Sequence, residues 1–190
     1  HTIEEGRMLV DTAKRTGMVY SVSVEDRFFP NYQKLMQLVD AGRIGELQKF
    51  YIELPVRNLP ESGYDIIEPP KDMDYELWCG PAPVHPYCKA RCFYNFRWNF
   101  DYGGGTICDW LPHYGETVQW ITGNELGGPV SAEPLKPARF HDGIYSTPKE
   151  FDILYTYQSS VQMEVTNGAP LIRASGTEGW IESNGWNQPL

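Results

Sequence analysis

Between Phe151 and Ser183 apolar residues recur at every second position, and no other property of the chain restricts its fold as tightly. Phe151, Ile153, Tyr155 and Tyr157 alternate with polar neighbours, then Val161, Met163 and Val165 do the same. Gln158-Ser159-Ser160 between them reads as a hairpin turn. Leu171–Ala174 and Trp180–Ser183 flank a second turn, Gly176-Thr177-Glu178-Gly179. Strands with one apolar face must bury it against another layer. A suitable layer precedes them. Ile107, Leu111, Tyr114, Val118 and Ile121 lie on one stripe of an amphipathic helix over Thr106–Thr122, ended by Gly123. Pro112 inside it removes one ladder hydrogen bond, so a kink or an altered first turn is expected. One helix against several antiparallel strands is an α+β layer.

The first part of the chain follows another rhythm. Thr2-Ile3-Glu4-Glu5 reads as a capping box, Leu9, Val10 and Ala13 as an apolar stripe, and Gly17 as a stop. Met18 to Val24 alternates, with Tyr20, Val22 and Val24 on one face, and predicts a strand. After Pro30, Tyr32, Leu35, Met36 and Val39 predict a second helix closed by Gly42. Phe50, Ile52, Leu54 and Val56 then alternate as a long strand. Residues 57–102, rich in Pro, Gly and aromatic residues, read as a long ordered excursion, and such excursions are usually functional or cover something.

The 190 residues carry 16 Lys+Arg against 25 Asp+Glu, a net charge of −9. That balance argues against a nucleic-acid backbone or an anionic membrane as partner. No apolar run approaches the roughly 18 residues of a membrane span. With 41% hydrophobic and 14% aromatic residues the chain is no solvated tail. It opens on His1 without a signal-peptide pattern, and its end follows strand-like sequence directly, so a fragment cut at both ends is expected. Four cysteines and no Asn-x-Ser/Thr acceptor lean towards the cytoplasm.

Among residues that carry chemistry, Asp109 and His113 form the sharpest pair. At i and i+4 they share a helix face, with Cβ atoms about 5–6 Å apart. The carboxylate can orient the imidazole or share a substrate hydroxyl with it. Gly103-Gly104-Gly105 in front lets a substrate or another backbone approach closely. The positive helix end biases the imidazole towards its neutral form, which suits proton transfer with an alcohol. The alternative is an ordinary surface pair. Cys79, His85, Cys88 and Cys92 are zinc-type residues, but their spacing lacks a C-x2-C knuckle. Buried thiols are the better reading, and no metal is expected. Arg91 and Arg97, set among Phe93, Tyr94, Phe96 and Trp98, fit either polyol contacts or an aromatic core with Arg stems laid across it. Arg27 lies beyond the early strand's carboxyl end, where α/β sheets place ligand contacts.

From Arg97-Trp98 through Asp101-Tyr102-Gly103-Gly104-Gly105-x3-Asp109-Trp110-x2-His113-x2-Glu116-x2-Gln119-Trp120 the chain resembles the Gfo/Idh/MocA oxidoreductases. Trp78-x-Gly80-Pro81-Ala82-Pro83, Gly128-Pro129-Val130, Gly176-Thr177-Glu178-Gly179-Trp180-Ile181 and Gly42-Arg43-Ile44-Gly45 extend the resemblance over nearly the whole chain. It implies residues 1–43 as the end of a dinucleotide-binding Rossmann domain, a helix–strand–helix remnant. Residues 44–190 are then a substrate and oligomerisation domain with a large open, mostly antiparallel sheet and helices on one face. It further implies NAD or NADP as cofactor, with none held by this chain alone, and a sugar, cyclitol or related polyol as substrate. His113 becomes the general acid/base and Asp109 its partner on the substrate hydroxyls. Arg27, Arg97, Trp98, Tyr102 and Glu116 are the candidate substrate contacts, and the sheet is the expected homo-oligomer surface. The cofactor's Gly-rich motif and the family's Glu-Lys-Pro lysine would lie upstream of His1; Lys136-Pro137 follows the helix and is not that lysine. Glu116 stands where the family usually has Asp, and Pro112 directly precedes His113. Two alternatives remain open: a relative that cleaves glycosides by transient oxidation, and a non-catalytic sugar-binding or assembly module. In the second, Phe151, Tyr155 and Tyr157 would pack subunits together.

Overall fold

A computed structural model describes residues 2–22, 24–55, 58–125 and 127–185. Val56 of the long strand, Ser23 of the early one and His1 lie outside the described residues. The core is a six-stranded sheet in the order β2-β5-β6-β1-β7-β8. Its strands are β1 (Leu47–Pro55), β2 (Ser131–Pro134), β5 (Asp152–Thr156), β6 (Gln162–Gly168), β7 (Leu171–Gly176) and β8 (Trp180–Ser183). Every pairing is antiparallel except β1 with β6. A separate small hairpin joins β3 (Arg139–Phe140) to β4 (Pro148–Glu150). The mixed α/β architecture is the one the alternating pattern requires, though β2 and the hairpin left no periodic signal.

Alternation decides what each face meets. Phe50, Ile52 and Leu54 of β1, Val165 of β6 and Ile172 of β7 are fully buried on one face. Each such side chain contributes about 1.5–3 kcal/mol. Two helices cover that face. Helix α2 (Pro30–Asp40) inserts Tyr32 and Leu35, and α4 (Gly105–Ile121) inserts Tyr114 and Val118. Helix α4 runs continuously through Pro112. Asn31 at the start of α2 donates to Ser183 Oγ in β8 at 2.7 Å, which ties the helix to the sheet edge. Phe151 and Tyr157, each 2% exposed, and the partly buried Tyr155 also face this core. The aromatic alternation therefore packs against the domain's own helices and is not a surface for a second subunit. The far face is polar, with Lys49 paired to Glu164 and Arg173 to Glu182.

The start of the chain departs from expectation in one element. Helix α1 (Ile3–Thr16) forms with its capping box and the left-handed Gly17, yet buries no residue. The described residues of 18–24 form no strand; Met18, Val19, Tyr20 and Val22 are exposed. A strand needs a neighbour to satisfy its backbone groups, and none of the described strands lies beside this stretch. The long excursion is ordered around α3 (Tyr75–Cys79) and two 3-10 turns, Lys89–Arg91 and Phe93–Trp98.

Candidate active site

The site is built on the exposed flank of α4. Gly103-Gly104-Gly105 sets where the helix begins, and packing is the reason for the glycines. A Cβ on Gly103 would lie 3.0 Å from the Arg97 backbone, and one on Gly105, whose φ is 66°, would lie 2.7 Å from Thr147. Of the two expected uses of this run, backbone approach is the one observed.

His113 lies two turns into α4 with its side chain 20% exposed. Its Nδ1 hydrogen-bonds Asp26 Oδ2 at 2.8 Å. Asp26 belongs to a 3-10 turn, Asp26–Phe28, between the exposed stretch and α2. It is completely buried, and its Oδ1 has no hydrogen-bond partner among the described residues. Burial raises its pKa above the ordinary carboxylate value against the opposing pull of His113. Tyr32 and Tyr114 lie near Asp26 on the core side, edge to face at 6.5 Å. Burial pushes the Tyr114 hydroxyl up to about 12, and the Asp26 charge pushes the same way. Trp110 stands over the imidazole, ring centres 6.1 Å apart.

Of the two roles open to Asp109, orienting the imidazole falls to Asp26 instead. Asp109 shares the His113 helix face, but its Oδ1 accepts from Arg97 Nε at 2.9 Å. Arg97 also donates to the Tyr94 carbonyl at 2.8 Å and lies over the Tyr94 ring, 4.2 Å from its centre. A guanidinium is always charged and outcompetes a neighbouring imidazole for a carboxylate. Arg97 and Asp109 line a cleft of about 200 Å³ with Phe96 and the three glycines. Arg27 and Glu116 have also found each other: Arg27 pairs with Glu116 and Glu125 and lies 5.4 Å from the centre of the Trp120 ring. Both expected substrate contacts are thereby engaged within the chain.

Trp98 is 2% exposed and packs with Cys88, Ala90 and Tyr145, so the expected substrate contact there is withdrawn. Arg91 is buried and donates to the Pro86 carbonyl, which makes it core. Tyr102 donates to the Pro83 carbonyl at 2.6 Å and lines a second cleft of about 220 Å³ with Trp78, Cys79, Ala82 and Phe96. Cys79, Cys88 and Cys92 are buried thiols, and burial pushes Cys92 up to about 11, which opposes the thiolate a metal needs. Asp26 escaped the sequence reading. The available signal was its place beside Arg27, but an acid facing a histidine 87 residues away leaves no local pattern.

A family model for the C-terminal alpha/beta domain of an oxidoreductase family, Gfo/Idh/MocA, matches residues 60–177. The chain belongs to the Gfo/Idh/MocA oxidoreductases. Solved structures agree on the fold. Aldose-aldose oxidoreductase from Caulobacter crescentus, complexed with glycerol, shares 15% identity at a TM-score of 0.67, covering 98% of this chain and 47% of that one. The WlbA dehydrogenase from Bordetella pertussis, with NADH and UDP-GlcNAcA, shares 12% at 0.64, covering 97% and 50%. A 3-ketoreductase from Actinomadura kijaniata, with NADP and TDP-benzene, shares 17% at 0.62, covering 96% and 46%. The Gfo/Idh/MocA chain described here spans about half the length of these structures. No curated protein matches it. Among the described residues no helix is long and apolar enough to cross a membrane.

Proposed function

We propose that this chain is the substrate half of an NAD(P)-dependent oxidoreductase that interconverts a hydroxyl and a carbonyl on a sugar, cyclitol or related polyol. Residues 44–190 form its substrate domain, and residues 1–43 end its dinucleotide-binding domain. One observation carries the reading: the helix presents a His113 side chain that is still 20% exposed, with one ring nitrogen held by the buried Asp26. With Asp26 ionised, Nδ1 keeps its hydrogen and Nε2 carries the lone pair. Nε2 is then the nitrogen able to take the hydroxyl proton as hydride leaves the same carbon, and to return it in reduction. Asp109, one helical turn earlier, and the Arg97 paired with it offer an acceptor and donors for neighbouring hydroxyls.

The nicotinamide cofactor supplies the hydride acceptor. It is the ligand of two of the solved relatives, as NADH in one and NADP in the other. The Gly-rich motif that seats its pyrophosphate does not occur in the sequence. Homo-oligomerisation is proposed for the sheet's far face, where Tyr51 and Trp180 sit among the two ion pairs, and a cytoplasmic setting is kept. The test uses the polypeptide that joins this chain to its dinucleotide-binding half. With NAD or NADP and a panel of cyclitols and aldoses, His113→Ala lowers kcat by roughly 10²–10⁴-fold and leaves NADH affinity unchanged. Unchanged turnover removes His113 from the mechanism.

A further inference from the structure

Two clefts meet at consecutive residues of one 3-10 turn. Phe96 lines both, and Arg97 lines only one of them, with Asp109. The other, of about 220 Å³, is walled by Trp78, Phe96 and Tyr102. Its rings are held against each other: Trp78 and Phe96 meet edge to face at 6.5 Å, and Trp78 and Tyr102 lie 5.0 Å apart. Trp78 is stacked on Tyr75, 5.7 Å away and nearly parallel. Such rings have little freedom left to lose when a ligand arrives. Ala82 keeps the wall low where any larger side chain would fill the space. Polar groups lie beside the Tyr102 wall: His85, edge-on to Tyr102 at 6.1 Å, pairs with Asp101 at 2.7 Å.

Fixed aromatic faces with polar groups beside them suit a flat ring that has an apolar face and polar edges. The volume admits one such ring. We infer that the Trp78–Phe96–Tyr102 cleft binds a second ring joined to the polyol, so that the substrate is a glycoside carrying a sugar or aryl ring and not a free monosaccharide. This rests on the proposed function, because the cleft that presents the Arg97–Asp109 ion pair must hold the reacting polyol. It also favours substrates of the kind a glycoside-cleaving relative would take.

The test is binding to the polypeptide that joins this chain to its dinucleotide-binding half, followed by saturation-transfer NMR with D-glucose, cellobiose and phenyl β-D-glucopyranoside. At least one of the two glycosides binds about tenfold more tightly than D-glucose, with the strongest transfer to its second ring. Gain for cellobiose alone identifies a sugar ring, gain for the phenyl glucoside alone an aryl ring, and gain for both the shared flat face. Trp78→Ala removes the gain. Ala82→Phe removes it too, by filling the cleft with the three rings in place, which guards against a misfolded Trp78 variant. Equal affinity for all three ligands, or a gain that survives Ala82→Phe in a folded chain, overturns the inference. His113→Ala leaves the gain intact, so failure of the acid/base assignment shows in turnover and failure of the ring site shows in binding.

Discussion

Asp26 and Arg27 are neighbours in one 3-10 turn, yet the same helix sorts them to opposite fates. Asp26 is fully buried, meets His113 by one oxygen and leaves the other without a partner among the described residues. Arg27 is 34% exposed at its side chain, engages Glu116 and Glu125, and lies across Trp120. His113 and Glu116 are three residues apart on α4, so the turn grips two adjacent positions of that helix. Each pair leaves one carboxylate oxygen without a partner among the described residues, Asp26 Oδ1 and Glu116 Oε2, so exposure is what separates them. Solvent reaches and weakens the Arg27–Glu116 pair, whereas the Asp26 carboxylate sits where folding alone disfavours charge. A group kept at a cost to stability is a stronger sign of function than one that merely has partners.

The sharpest way to break this contrast is Asp26→Asn. The amide fits the same space but cannot hold His113 as a charged acceptor. In the protein joined to its dinucleotide-binding half, kcat falls by roughly 10–100-fold, the range for removing the group that orients a working histidine. If Asp26 were structural, stability would fall with activity, whereas here the two move apart. Burial raises the Asp26 pKa in the folded state. Its contribution to stability is therefore full below the ordinary carboxylate value of 3.8 and is lost as pH rises through the raised value. Asp26→Asn abolishes that loss. Urea titrations show the variant at least as stable as the parent at pH 7, with its relative stability falling as pH drops towards 3.8. A variant that loses stability at pH 7 makes Asp26 a structural acid.

How much of this was legible depended on the range of the physics involved. The core was readable because burial imposes a period: Phe50, Ile52 and Leu54 face inward as their alternation requires. The same periodicity misled at residues 18–24, since a pattern shows which face seeks cover but does not supply a neighbouring strand. Helix α1 makes the same point, because its capping box is local and forms while its apolar stripe stays uncovered. At the site, His113 was found from a motif on one helix. Helical spacing, visible in one dimension, places Asp109 on the same face. The hydrogen bond to Asp26 and the pairing of Asp109 with Arg97 are decided by tertiary packing. Trp98 was misjudged because an aromatic residue at a site looks the same in sequence as one beneath it.

Glu116→Gln comes next in size. Arg27 keeps Glu125, and the amide loses only a partly exposed pair, so unfolding free energy drops by about 1 kcal/mol or less. Activity stays within about threefold of the parent, because about 0.6 kcal/mol is all such a rearrangement passes on.

The smallest effect expected, Arg27→Lys, returns to the neighbour of Asp26 and decides between two readings of it. A lysine keeps the charge and the stem but replaces the planar fork by a point charge. If Arg27 serves only to fasten the turn to α4, one ammonium between Glu116 and Glu125 does nearly the same work. Urea midpoints then shift by no more than about 0.5 kcal/mol of stability, and kcat/KM is unchanged. If Arg27 instead holds a substrate hydroxyl, as its place near the site first suggested, loss of the fork raises KM severalfold with stability untouched. That result would move Arg27 from the fastening network into the substrate site and erase the distinction between the two neighbours.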